Sequence, residues 1–266
     1  MHEKMGRNCA PSHFSHLLFS SSAMRTVQTA REPTGGQVPK NVAPSTLRLI
    51  VERVNKMTNV EAIIGRLRRA SVENFPGVQA PSETLAPGIS STDIEEFETK
   101  RCLKLPDDVK QYFQCANGQA GSDRRFSLPG LYLMPLKESI KEMESYGQYY
   151  DGPSQSEMSI PPRAIQGYYF HANFWIPLAH DFAADYVAVD LDPGPEGKYG
   201  QVIICGKGYI GRYCVVADSW SEFLDDYVSF IEKGEGFDGF QDPIIYMGMI
   251  YSEKVKEIRE KKLLGH

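Results

Sequence analysis

The sequence predicts an α+β fold: a mostly antiparallel sheet with helices packed on it, plus an N-terminal helical segment. Three observations carry that expectation. Apolar residues recur at helical spacing in several separate runs, such as Trp220, Phe223, Leu224, Tyr227 and Ile231. Between Trp175 and Ala217 the pattern instead alternates with a period of two, in short runs parted by Gly- and Pro-rich turns. Those turns, Pro193 to Gly197 and Gly206 to Gly211, are too short for a parallel crossover, which takes about a dozen residues, so the strands pair as antiparallel hairpins.

Residues 1–44 read as a disordered basic leader. They hold only Glu3 and Glu32 as acids, and Arg31 to Pro44 contains Gly35-Gly36 and three prolines. Leu17-Leu18-Phe19 is too short an apolar core for a secretory signal, and a disordered tail is preferred to an organelle transit peptide. Residues 45–84 form a helical N-terminal segment and linker. Ser45 caps a run of Leu47, Ile50, Val51, Val54 and Met57; after Thr58-Asn59 a second run, Ile63, Ile64 and Leu67, closes on Arg66, Arg68 and Arg69. Arginines at a helix C-terminus complement the macrodipole and need no ligand to explain them. Residues 71–90, with three prolines and two glycines, read as a loop.

The main body spans residues 85–232. Thr92 with Glu95 makes a capping box for a helix whose inner face is Ile94 and Phe97. Pro106 starts the next helix with Asp107 and Asp108 in its first turn; Val109, Tyr112, Phe113 and Ala116 are its buried side, and Asn117-Gly118 closes it. Leu131 to Met134 reads as a strand, Ser139 to Tyr146 as a helix, and Gly147 to Pro162 as a long polar stretch. Alternation in Tyr186 to Leu191 puts Val187, Val189 and Leu191 on one face and Asp190 with Asp192 on the other. Gln201 to Cys205 and Arg212 to Ala217 are further strands. Asp218-Ser219, with Glu222 completing the box on Ser219, caps the Trp220 helix, which ends at Gly234. Residues 233–266 form a C-terminal extension whose tail, Glu253 to Leu264, is a charged helix.

Composition narrows the function. The chain has 266 residues and a net charge of −5, which argues against nucleic acid as the main partner. The charge is uneven: residues 1–75 hold 11 Lys/Arg against 5 Asp/Glu, and the rest 18 against 29. No run reaches the ~18 apolar residues of a membrane helix. The five cysteines, Cys9, Cys102, Cys115, Cys205 and Cys214, form no zinc-type spacing and read as free thiols, mostly buried, which with the missing signal places the chain in the cytoplasm.

The motif search excludes more than it finds. Gly206-Lys207-Gly208-Tyr209-Ile210-Gly211 matches G-x-G-x-x-G, but a strand pattern follows where a dinucleotide site requires a helix N-terminus, so it is a hairpin turn. Asp181, Asp185, Asp190 and Asp192 fit no EF-hand spacing, and no metal site is assigned. His171 and His180 flank Trp175, but no nucleophile elbow accompanies them. No cofactor and no catalytic residue is expected. What remains is an acidic surface with aromatics beside it, a combination suited to protein contacts. Asp181, Asp185, Asp190, Asp192, Tyr199 and Trp175 are the candidate partner-binding residues.

The residues also carry a family resemblance. Pro87-Gly88-Ile89, Asp93-Ile94-Glu95-Glu96-Phe97-Glu98, Leu105-Pro106-Asp107-Asp108-Val109-Lys110 and Asn117-Gly118-Gln119 resemble the first half of the SMI1/KNR4 (SUKH) domain. Ile160-Pro161-Pro162-Arg163-Ala164-Ile165, Trp175-Ile176-Pro177-Leu178-Ala179, Val189-Asp190-Leu191-Asp192-Pro193, Gly197-Lys198-Tyr199-Gly200-Gln201-Val202-Ile203 and Val216-Ala217-Asp218-Ser219-Trp220 resemble the second half. The Ile-Pro-Pro and Gly-Lys-Tyr stretches look more like the fungal cell-wall-assembly regulators than like the short bacterial members.

The resemblance implies an SMI1/KNR4-like domain over residues 85–232, with helices on an antiparallel sheet and no catalytic residues to carry over. It implies a non-catalytic protein-protein interaction module regulating cell-wall assembly or growth signalling, with signalling or cell-wall synthesis components as partners. The alternatives are an immunity-type protein that neutralises a toxin and a metal-dependent hydrolase. The flanks, 1–84 and 233–266, are not the long low-complexity extensions of the fungal regulators.

Overall fold

In the computed structural model, which describes residues 60–74, 84–120, 131–150, 159–166, 171, 173–210, 212–233 and 244–263, the chain is α+β as expected. Its elements are α1 (Val60–Asn74), β1 (Leu85–Pro87), α2 (Ser91–Arg101), α3 (Asp107–Cys115), β2 (Ala116–Gln119), β3 (Tyr132–Leu133) and α4 (Leu136–Tyr150). They continue as β4 (Trp175–His180), β5 (Asp185–Asp190), β6 (Gln201–Gly206), β7 (Cys214–Ala217), α5 (Trp220–Glu232) and α6 (Ile244–Leu263). Strands β3 to β7 form one sheet in chain order, every pair antiparallel, and β1 pairs with β2 in a separate ribbon. Short turns dictate the meander from β4 to β7, because each of those strands reaches only the edge of the one before it, whereas β3 joins β4 through α4 and a long connection.

Strand alternation sorts the sheet into two apolar layers. Val187 and Val189 of β5, with Val202 and Ile204 of β6, face a core completed by α1, α2, α3 and α5. Tyr186 and Ala188, with Ile203 and Cys205, face a smaller core that also takes Trp175, Tyr213, Ala164 and Ile165. The second face of β5 is therefore covered. Asp190, assigned by alternation to the face opposite Val187 and Val189, is wholly buried, and Asp192 lies beyond the strand end.

Several local expectations shift. Helix α1 runs on to Asn74, so Arg66, Arg68 and Arg69 lie mid-helix. Arg66 reaches α5 instead: its Nε donates to Glu232 Oε1 at 3.0 Å, Nη2 donates to Ser229 Oγ at 3.1 Å, and Nη1 pairs with Asp225. The capping box of α2 lies two residues early, with Ser90 Oγ accepting from Asp93 N at 3.1 Å and Asp93 Oδ2 accepting from Ser90 N at 3.1 Å. Helix α3 stops at Cys115 because Ala116 turns extended to pair with Pro87 of β1, a three-residue strand that the prolines around it disguised as loop. Gly118 then sits within β2 at φ +73, where a Cβ would lie 2.4 Å from Pro135 N. Helix α4 is longer at both ends than Ser139 to Tyr146, its first turn held by Leu136 N donating to Asn117 Oδ1 at 3.0 Å.

At α5, Ser219 Oγ caps Glu222 N at 3.2 Å as expected, but Glu222 Oε2 accepts from Asp218 N at 2.9 Å instead of completing the box on Ser219. Cys115, Cys205 and Cys214 are free thiols, Cys205 and Cys214 buried and Cys115 partly so. The leader 1–44, the helix from Ser45 to Met57 and the stop at Gly234 lie outside the described residues.

Candidate functional site

The six candidate residues do not form one patch. Strand β5 is six residues long, which at about 3.3 Å per residue sets its first and last Cα roughly 17 Å apart. Asp181 and Asp185 lie at one end of the sheet; Trp175, Asp190, Asp192 and Tyr199 lie at the other.

At the first end the carboxylates close turns. Buried Asp181 accepts from Ala183 N at 2.7 Å and from Asp185 N at 3.2 Å, where Phe182 and Ala184 take positive φ. Asp185 Oδ1 accepts from Gly208 N at 2.6 Å, and burial beside Asp181 raises its pKa above the usual carboxylate range. The G-x-G-x-x-G stretch begins here. Gly206 ends β6 and Lys207–Tyr209 is one turn of 3-10 helix; β7 follows, not the α-helix a pyrophosphate needs.

The other end is built around Asp190. Its Cα pairs with Trp175 on one side and Gln201 on the other. Asp190 Oδ2 accepts from Gln201 Nε2 at 2.9 Å and Oδ1 accepts from Asp192 N at 3.0 Å, with the Trp175 indole as a further neighbour. Burial outweighs these donors and pushes its pKa up to about 6. Gln201 Nε2 also donates to Ala164 O at 2.8 Å, and its Oε1 accepts from Lys198 N at 3.0 Å. Gly194 N donates to the same Ala164 O at 3.0 Å.

Loop 191–200 thus lies flat on segment 160–166. A Cβ at Gly194 would fall 2.2 Å from Arg163 O, and one at Gly197 2.1 Å from Ala164 O, so only glycine permits the approach. His171 Nε2 lies 2.9 Å from Asp192 Oδ2, tying in a further segment.

A loop held this firmly presents its tip rigidly. Pro195, Glu196, Lys198 and Tyr199 are exposed, Tyr199 at 49%. The Tyr199 hydroxyl donates to Lys104 O, and Lys198 pairs with Asp218. The Tyr199 contact joins the tip to a groove of about 470 Å³ between α2 and α3, lined by Glu95, Glu98, Thr99, Lys104, Lys110 and Gln114 among others. Buried Glu98 accepts from Leu105 N at 2.7 Å and from Lys104 Nζ at 2.9 Å. Burial pushes its pKa up, but Lys104, Leu105 N–H and Lys110 overcome that and hold it below the usual range.

Sequence reasoning missed Glu98. The signal was available, since Ile94, Phe97 and Glu98 stand at i, i+3 and i+4 and so share the buried stripe of α2. Among the described residues no group of three His, Cys, Asp or Glu is placed to hold a metal ion, and no helix is long and apolar enough to cross a membrane.

Comparison with known proteins places this arrangement. The chain is 34% identical over 184 residues to the cell wall biosynthesis/cell cycle regulator smi1 of Schizosaccharomyces pombe, covering 64% of this chain and 36% of that protein. It is 29% identical over 212 residues to the glucan synthesis regulatory protein of Neurospora crassa, covering 65% and 38%. It is 27% identical over 201 residues to the cell wall assembly regulator SMI1 of Saccharomyces cerevisiae, covering 62% and 39%. The chain therefore spans less than two fifths of the length of these relatives. The SMI1 / KNR4 family (SUKH-1) model matches residues 88–226, from the loop ahead of α2 into α5 and across the whole pinned loop. With more than half of its length matched, the chain belongs to the SMI1/KNR4 family.

Proposed function

We propose that this chain is a non-catalytic protein-interaction module that takes part in regulating cell-wall assembly. It acts in the cytoplasm on signalling or cell-wall synthesis components, with residues 85–232 as the docking domain. The relatives' names support the regulatory part: each describes a regulator of cell-wall or glucan synthesis. They favour this reading over toxin neutralisation and over hydrolysis.

The observation that carries docking is the tip of loop 191–200, an exposed tyrosine preceded by Glu196 and Lys198 on a backbone held at both flanks. Pre-organisation lowers the entropy lost on binding, and tyrosine is a frequent anchor of interfaces. Tyr199 and Asp192 make the contact; Asp190 and Trp175 support it from below. Asp181 and Asp185 serve the far turns.

Co-purification with the full chain from a fungal lysate tests this. Glucan-synthesis or signalling proteins recovered with the natural chain should fall roughly fivefold or more with Tyr199→Ala, and should be unchanged with Asp185→Asn. Equal recovery with Tyr199→Ala removes this loop from the reading.

A further inference from the structure

None of the described side chains of helix α6 is fully buried. The helix meets the body through Met249, Ile250 and Tyr251, each only partly buried, and the Tyr251 ring packs tilted against Tyr209 with centroids 5.1 Å apart. A cavity of about 320 Å³ remains beneath it, floored by Val216, Phe223 and Phe230 and roofed by Met249 and Ile250. Helix α1, also packed on α5, is seated differently: Val60, Ile63, Ile64, Leu67, Ala70 and Ser71 are all buried.

A further feature marks α6 as weakly held. Gly248 stands inside the helix with open space where a Cβ would be, so its helix penalty of about 1 kcal/mol relative to Ala gains nothing in packing. The cavity rim carries one acid and one base from each side, Asp226 and Lys233 from the body and Glu253 and Lys254 from α6. In α6 these stand one turn after the apolar pair, Met249 before Glu253 and Ile250 before Lys254.

We propose that the groove between β7 and α5 is a second docking surface, that α6 occupies it as the chain's own placeholder, and that its external partner is an amphipathic helix. That helix carries two adjacent apolar residues followed one turn later by an acid and a base. Val216, Phe223 and Phe230 are buried with α6 in place; release of α6 uncovers an apolar floor of the kind that receives such helices. The partner must displace α6, so occupancy depends on competition between a tethered and a free helix. This surface does not involve Tyr199, and its failure would leave docking through loop 191–200 intact.

The test uses the full chain and a fluorescein-labelled peptide of residues 244–263 as probe, read by anisotropy. The double variant M249E/I250E unseats α6 in the chain and should bind the peptide about tenfold more tightly than the natural chain. Gly248→Ala strengthens the resident helix and should weaken peptide binding about fivefold. A peptide carrying E253K/K254E should lose the gain.

Amide exchange should show α6 opening far faster than α5 in the natural chain, with α5 and β6 protected equally in every variant, which establishes that the double variant is folded. The proposal is overturned if the folded double variant binds the peptide no better than the natural chain. Protection of α6 equal to that of α5 would likewise sink it, as would a dimer that exchanges α6 between copies.

Discussion

Asp190 is the residue on which the candidate site turns, and its chemistry makes a pH signature. Its pKa is about 6 in the fold, against about 3.9 in an unfolded chain. The folded state therefore holds this proton more tightly. The associated stabilisation is fully present below about pH 4 and is lost as pH rises through about 6, on the order of 2–3 kcal/mol in all. Asp190→Asn carries no such titration. It has a constant penalty, since one amide N–H must face the Gln201 or Asp192 donor. The advantage of the natural chain over Asp190→Asn should thus be largest near pH 4 and shrink by that amount toward pH 7, measured as paired urea unfolding curves. A constant difference across that range would show that Asp190 is ionised throughout. Glu98 works in the opposite sense: with its pKa held below the usual range, its contribution is present near neutrality and lost in acid.

At the scale of elements, the informative unit is loop 191–200 on segment 160–166. Gly194→Ala should destabilise the chain by about 2 kcal/mol or more, because the new Cβ would meet the Arg163 carbonyl at 2.2 Å. The same variant should weaken docking at Tyr199, so thermal unfolding and co-purification would fall together; a neutral result would mean the loop is free to lift. Much at this scale was legible in advance. Turn lengths implied the antiparallel meander, and apolar spacing located α2, α3 and α5. The candidate site residues could be named from the sequence, but how the fold separates them could not. Asp185 and Asp190 look like neighbours in the chain, yet an extended strand places them at opposite ends of the sheet. The buried second face of β5 escaped reading because its cover, Ala164 and Ile165, comes from an irregular stretch with no periodicity. The strand β1 hid for a similar reason, since three residues ending in a proline give no alternation to count.

Across the whole molecule, the folded unit exceeds the stretch matched by the family. Helix α1 lies ahead of residues 88–226, yet it seats six buried residues against the body. Apolar packing and the Arg66 fork both hold it, and their magnitudes separate them. Leu67→Ala removes a fully buried side chain and should cost about 2–5 kcal/mol. Arg66→Ala breaks partly exposed pairs and should cost about 1 kcal/mol or less. Chemical denaturation of the two variants decides the order; a larger loss from Arg66→Ala would make α1 an electrostatic clip. The distance of that contact along the chain also has a consequence for synthesis. Arg66 and Asp225 are 159 residues apart, so at about 5–20 residues per second α1 leaves the ribosome roughly 8–30 s before its counterpart. For that interval Ile63, Ile64 and Leu67 are an oily stripe on a nascent polypeptide, and whatever shields them in the cell must let go before α5 arrives.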